Sequence, residues 1–427
     1  MRKRIIAVSL SLLFLFSGCS DKDSADESTI TLSGGFTAEI VSANNLFDSH
    51  TPDNPKDFVI FDKIGNQYYG MKLPLGTNAQ WDYSQYSLID INTNKETRIT
   101  MPDELKNQPY TIYMDYVTLS DRYLYCWGQY DDIPDANTRT RSFLTCLDTV
   151  TGKTTIIDKS DDWCTGVTFR KIDNDHFISY IVTLGYDNVN TNIIATIYDS
   201  KGGKKKIFYK EFSSNSTDIN EPAFTGRNYI YKDGKNYIID ADINPSSTDV
   251  YLYEYSENGK YLNKQKLTSL PDSEDRYTYY DNTYFVGNYI VTPTTGSSQG
   301  CIIKNNSGNG ELITTPAEAG QLNCFITQRY SDNTPYIVFF ADNWPPPSSS
   351  TPPYKNSMNS PLYFIDTKSE KIKGFTIPPS LKELNFGVLQ TLSNGDVMLS
   401  YYDGDYTPSN VRQFIIPADK IAEVMNE

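Results

Sequence analysis

Aromatic rings and carboxylates sit side by side in short polar stretches along this chain. They read Trp81-Asp82-Tyr83, Asp131-Asp132, Asp161-Asp162-Trp163, Tyr186-Asp187-Asn188, Asp240-Ala241-Asp242, Asp342-Asn343-Trp344 and Tyr402-Asp403-Gly404-Asp405-Tyr406. Rings of this kind stack on sugars, planar ligands or cationic groups, while neighbouring carboxylates and amides fix orientation. The candidate ligand-binding residues are therefore Trp81, Tyr83, Trp163, Tyr186, Trp344 and Tyr406. Asp403 and Asp405 also offer the hard oxygens that Ca²⁺ takes, although no EF-hand spacing surrounds them. Paired carboxylates can hydrolyse glycosides at separations of about 5 Å or about 6.5–9.5 Å. With only His50 and His176 in the chain, His-rich metal sites are excluded and a His-based triad is not expected. No catalytic residue and no cofactor is assigned from these patterns, with Ca²⁺ the one candidate ion.

The cysteines add little chemistry of their own. None of the six shows Cys-x-x-Cys spacing. Setting Cys19 aside leaves Cys126, Cys146, Cys164, Cys301 and Cys324, an odd number, so at least one thiol stays free. Cys126 and Cys146 fall in strands that flank one hairpin loop. A symmetric register there places them opposite each other at the ~4.5–5.5 Å that a disulfide accepts, which makes them the candidate bridge. A one-residue slip turns them to opposite faces.

Stepping outward, Met1 to Arg4 is basic and Ile5 to Phe16 is apolar, too short a run to span a bilayer and suited to a secretory signal. It ends in Phe16-Ser17-Gly18-Cys19, which resembles the bacterial lipobox. That resemblance implies removal of residues 1–18 as a signal peptide, acylation of Cys19 (palmitate among the chains) and a polar acidic tether over 19–28. Two or three acyl chains anchor a protein stably where one does not. Ser20 stands where Gram-negative lipoproteins retained at the inner membrane typically carry Asp. By that resemblance the expected location is the cell envelope, at the outer membrane on its periplasmic or surface face.

Composition narrows the class. The 427 residues include 33 Tyr and are 13% aromatic, which favours strands and is too aromatic for a disordered chain. The net charge is -15, and the first 18 residues hold three basic groups and no acid, so the remainder stands at -18. Such a field repels nucleic acid, which is excluded as a partner.

Beyond the tether the sequence repeats. Tight turns recur at Gly65-Asn66, Ser120-Asp121, Asn174-Asp175, Asp233-Gly234, Gly287-Asn288, Asp332-Asn333 and Asn394-Gly395, about 55 residues apart on average. Each is followed by a second hairpin, as at Phe143 to Asp148 with its turn through Gly152. Two hairpins per period make a four-stranded meander, and seven of them predict an all-β, seven-bladed β-propeller over 29–427. The seventh repeat has three strands before Pro417, where a short C-terminal helix is expected. One of the segments Thr29 to Leu32 and Phe36 to Val41 is expected to complete that last blade and hide its edge.

The repeats resemble those of bacterial lipoprotein propellers, whose blades end in Tyr-x-x-Asp-x-x-x-Gly-Lys hairpins. The likeness runs from Asp57 to about Ile416 and implies no catalytic residue. In such blades the 1–2 and 3–4 turns occupy one rim, and the 2–3 loops and inter-blade links the other. Here the aromatic and acidic stretches fall in the second set. The expected function is capture, without catalysis, of a glycan, a small molecule bound for uptake or a partner envelope protein. The alternatives are a carbohydrate-active enzyme using paired carboxylates, and an envelope assembly scaffold.

Overall fold

Tyr, Ile, Val and Phe dominate the strand segments, and the chain folds them as antiparallel meanders. The computed structural model describes residues 28–427 apart from 33–35, 43–45, 47–51, 73–85, 101, 107–110, 132–139, 161–163, 185–189, 214–228, 244–246, 272–283, 293–300, 307–308, 314–322, 327–334, 343–360, 379–380, 382–384 and 403–409. Two strands come first, β1 (Ser28–Thr31) and β2 (Thr37–Ser42). Blade 1 is β3 (Phe58–Ile64), β4 (Gln67–Lys72), β5 (Tyr86–Asp90) and β6 (Glu96–Arg98), followed by α1 (Asp103–Lys106). Blade 2 is β7 (Thr111–Leu119), β8 (Tyr123–Asp131), β9 (Thr140–Asp148) and β10 (Lys153–Ser160). Blade 3 is β11 (Cys164–Lys171), β12 (His176–Leu184), β13 (Asn190–Asp199) and β14 (Lys204–Ser213). Blade 4 is β15 (Tyr229–Lys232), β16 (Lys235–Ile243), β17 (Ser247–Tyr255) and β18 (Tyr261–Pro271). Blade 5 is β19 (Tyr284–Val286), β20 (Tyr289–Thr292), β21 (Cys301–Asn306) and β22 (Asn309–Ile313). Blade 6 is β23 (Asn323–Ile326), β24 (Tyr336–Asp342), β25 (Leu362–Asp366) and β26 (Ile372–Thr376). Blade 7 is β27 (Asn385–Thr391), β28 (Val397–Tyr402) and β29 (Val411–Ile416), and α2 (Ala418–Asn426) follows it. The protein is a seven-bladed β-propeller.

Seven apolar clusters hold the ring, one at each seam between neighbouring blades. Both faces of a blade are therefore buried, and a strand such as Leu362–Asp366 reads as a continuous apolar run. At the seam of blades 6 and 7, Phe364 and Phe375 meet Leu399 and Tyr401. Helix α2 adds Ile421 and Met425 to that cluster. Its first N–H groups lack partners within the helix, and the Asp396 carboxylate accepts from Ala418 N at 2.9 Å. Its last turn is pinned by Lys373, whose Nζ donates to Val424 O at 3.1 Å.

Ring closure corrects the expectation that an N-terminal strand completes the last blade. Strand β2 instead runs parallel to β26 and extends blade 6, with β1 outside it, giving the order β1-β2-β26-β25-β24-β23. Ile40 lies opposite Gly374, where a Cβ would stand 2.6 Å from the Ile40 side chain, so the missing side chain makes room for the strand. Glu39 meets Lys373 at 3.5 Å. Strand alternation alone could not say which blade edge this segment would join.

Blade 7 keeps three strands among the described residues, and its outer edge is covered another way. Asp53 N donates to Gln413 O at 2.7 Å, and the Asp53 carboxylate accepts from Ile415 N at 2.6 Å. Asn54 accepts from Gln413 N at 2.7 Å and donates to Val411 O at 3.1 Å. Two polar residues thus satisfy the edge groups that a fourth strand would otherwise take.

The disulfide expectation is also corrected. Cys126 pairs with Thr145 and Cys146 with Tyr125, a one-residue offset from the symmetric register. The two side chains therefore point to opposite faces, Cys126 toward blade 1 and Cys146 toward blade 3, and both are free thiols. Burial pushes the Cys146 thiol up to about 11, with the Tyr125 hydroxyl opposing the shift.

Candidate functional site at the loop-bearing rim

One rim of the ring is closed upon itself. Gly65, Gly287 and Gly395 occupy first-hairpin turns with positive φ, the conformation that tight hairpins demand. In five of the blades a single backbone bond then ties the two turns together. The residue after the third strand donates its N–H to the first turn: Ile91 to Asn66 at 2.9 Å, Thr149 to Arg122 at 2.9 Å, and Ser200 to Asp175 at 2.9 Å. The bond recurs from Asn305 to Asn288 at 2.8 Å and from Thr367 to Pro335 at 3.0 Å.

A carboxylate finishes four of these second turns. Asp90, Asp148, Asp199 and Asp366 each end a third strand and accept backbone N–H bonds from the turn that follows. The Thr93 hydroxyl and N–H hold Asp90 below the usual carboxylate range. The Arg122 guanidinium holds Asp148 at about 2, with bonds of 3.0 and 2.8 Å. The Gly203 and Lys201 N–H groups likewise hold Asp199 below the usual carboxylate range. His176 lies on this rim, its Nδ1 at 2.9 Å from the Asp173 carboxylate. These acids are occupied by their own turns.

The opposite rim is where the second strands end. The segments 73–85, 132–139, 185–189, 343–360 and 403–409 leave from strand ends on that side, as does the link 161–163. Trp81, Tyr83, Trp163, Tyr186, Trp344 and Tyr406, together with Asp403 and Asp405, lie outside the described residues, in segments whose flanking strands open on this one rim. Among the described residues no group of three or more His, Cys, Asp or Glu side chains could hold a metal ion. The fourth tryptophan, Trp127, is buried between blades 2 and 3.

Two features inside the ring escape a sequence reading. The first is a four-ring cluster between blades 1 and 2. Tyr86, the residue at which the chain re-enters the sheet after 73–85, stacks on Tyr69 with centroids 5.8 Å apart. Phe61 lies 6.0 Å from Tyr69, and Tyr116 meets Tyr69 edge-on at 5.6 Å. Burial raises the Tyr86 phenol. The Phe61 carbonyl, on a bulged inner strand, accepts from Tyr116 Oη at 2.5 Å and from Gln390 Nε2 at 2.8 Å. These bonds join the inner strands of blades 1, 2 and 7.

The second is Arg170. From the inner strand of blade 3 its buried guanidinium reaches past blade 4 and donates to Phe285 O of blade 5 at 2.6 Å. It places a positive charge in the ring interior of an acidic protein. The alternating strand pattern hides such a residue, because its partner is 115 positions away.

No family model matches the chain, and no curated protein matches it in sequence. Solved structures resemble it in fold at low identity. The acylaminoacyl peptidase of Pyrococcus horikoshii is 9% identical with a TM-score of 0.40, covering 74% of this chain and 47% of its own, so the chain spans about half the length of that enzyme. An oligogalacturonate lyase from Vibrio parahaemolyticus is 12% identical with a TM-score of 0.34, covering 87% and 80%. A protein described as a putative 6-phosphogluconolactonase from Bacteroides fragilis is 10% identical with a TM-score of 0.35, covering 82% and 94%.

Proposed function

We propose that this protein is a lipid-anchored propeller of the bacterial cell envelope, held at the outer membrane through acylated Cys19, that binds a ligand at its loop-bearing rim without transforming it. A glycan is the ligand class best suited to paired rings and carboxylates, since rings stack on sugar faces while carboxylates and amides take the hydroxyls. The observation that carries this reading is the inequality of the two rims. Among the described residues one is made of short turns whose polar groups satisfy one another. The other receives the long segments that hold the aromatic and acidic stretches. Long connections are kept in compact domains chiefly for function.

The test is calorimetry of the full chain in detergent with cellohexaose, xylohexaose and maltohexaose, followed by a reducing-end assay. Binding without new reducing ends is expected. Trp81→Ala and Trp344→Ala should each weaken it several-fold while leaving the melting temperature in place. Release of new reducing ends would replace this reading with the enzymatic one.

A further inference from the structure

A second surface lies on the outer edges of blades 3 and 4. These are the longest outer strands of the ring, ten residues in β14 and eleven in β18. Blades 3 and 4 together, residues 164–271, carry 13 basic and 13 acidic residues, so the whole excess of acid in this chain lies elsewhere. Their outer strands are richer still in lysine. Lys205 and Lys206 on β14, and Lys260 just before β18, are exposed and make no ion pair with any described residue.

The two edges form one surface. The turn at Gly259 packs against β14 so closely that a Cβ there would stand 2.9 Å from Tyr209 O. Lys210 reaches across the same seam to within 5.8 Å of the Tyr255 ring. Apolar groups surface among the lysines. Tyr209 is 48% exposed with Lys206 Nζ 4.5 Å from its ring centre, and Leu262 on β18 is 46% exposed.

Lysine on an edge strand commonly serves only to block strand addition. That explanation would place it on every open edge. Yet β6 reads Glu-Thr-Arg and β22 reads Asn-Gly-Glu-Leu-Ile, with no lysine in either. Lysine continues on β10, at Lys153 and Lys159, so the lysine-bearing edges are those of blades 2 to 4, and at blades 3 and 4 they are mixed with exposed Tyr209 and Leu262, which blocking strand addition does not explain. We propose that the outer face of blades 3 and 4 binds a linear anionic polysaccharide. Lys205 and Lys206, one on each side of the β14 edge, meet carboxylates or sulfates of a polymer running along that edge, and Tyr209 stacks on a sugar ring beside Lys206. The β1–β2 hairpin that carries the N-terminus is on blade 6, three seams from blade 3. A chain anchored by that end would turn this surface away from its own membrane.

The experiment uses the full chain in detergent with alginate as the probe. Neutral dextran and vesicles containing phosphatidylglycerol serve as comparators. Binding to alginate that weakens steeply with salt, and no binding to dextran, is expected. The combined variant Lys205→Gln, Lys206→Gln, Lys260→Gln should lose about tenfold or more in affinity and show a shallower salt dependence. Tyr209→Ala should lose several-fold, and Lys368→Gln on blade 6 nothing. Absence of alginate binding, a triple variant that binds like the parent, or capture by vesicles in preference to alginate would each overturn the proposal.

Discussion

Gln413 grips both backbone groups of Ile60, a residue 353 positions earlier in the chain. Its Oε1 accepts from Ile60 N at 2.6 Å, and its Nε2 donates to Ile60 O at 2.9 Å. One amide side chain thereby plays the part of a strand neighbour where blade 7 meets blade 1. That seam is polar elsewhere too, with Asp62 accepting from Ser393 N and Oγ, and Lys63 paired to Asp396 at 2.8 Å. Replacing Gln413 with Met keeps the volume but leaves two buried backbone groups unpaired, a loss of about 2–4 kcal/mol. Urea unfolding should show this loss, and Gln413→Glu, which can accept but not donate, should fall between Met and the parent.

Acid should loosen the turn rim before the seam. Asp148 is held at about 2 by Arg122, below its unfolded value. Its contribution is complete above the unfolded value of 3.8 and disappears as the pH falls toward about 2. Asp53 behaves in the opposite sense. Burial raises it, against the Ile415 hydrogen bond and Lys63, so its contribution is complete below 3.8 and is lost as the pH rises through the raised value. Asp148→Asn should flatten the stability decline between pH 4 and 2. Asp53→Asn should gain stability at pH 7 relative to the parent and lose that gain below pH 3.8, as chemical denaturation across this range would record.

Both thiols of blade 2 should survive oxidising purification. Cys126 and Cys146 face away from each other, and at pH 8 a thiol near 11 holds only about a thousandth of its population as thiolate. Iodoacetamide should label neither in the native protein and both after unfolding. A Cys126–Cys146 cross-linked peptide in the mass map would contradict the register.

Two glycines should differ in what they tolerate. At Gly70 a Cβ would stand 2.1 Å from the backbone oxygen of Val59, and at Gly128 it would stand 2.3 Å from the Phe143 ring. A ring can turn aside, whereas a strand must move bodily. Gly128→Ala should cost about 1–3 kcal/mol, and Gly70→Ala more. Thermal melts of the two variants side by side test the order.

Membrane attachment should depend on one sulfur. If the chain is anchored as proposed, Cys19→Ala leaves the protein soluble after a carbonate wash while the parent stays with the membranes. A variant that still sediments with membranes would remove the anchor from the proposed function.

The blades were legible because their signals are local. Asp-Gly and Gly-Asn pairs mark positive φ, and alternating Tyr, Ile and Val mark strands. Features settled by distant partners were not. The hydrophobic pattern of Thr37–Ser42 says strand but not which of two open edges it joins. The positions of Cys126 and Cys146 suggest a common hairpin, yet a single residue of register decides whether they meet. Arg170, Gln390 and Gln413 look like ordinary polar residues in strands until the ring brings their carbonyl partners to them. The six aromatic residues of the proposed binding rim stand out by their neighbours, Asp and Asn in short polar stretches.

The parallel pairing of β2 with β26 also fixes an order in time. Ala38 pairs locally with Ile30 but finds its second partner only at Ile372, and Ser42 finds its partner only at Thr376, so the open edge of this first hairpin must wait for almost the whole chain before it is sheltered. Blades 1 to 5 pair within themselves as they emerge, while Ser28–Ser42 stays open to any enzyme acting near the N-terminus. Nascent chains stalled before Ile372 should therefore be cut by protease within Ser28–Ser42, and the folded chain should resist.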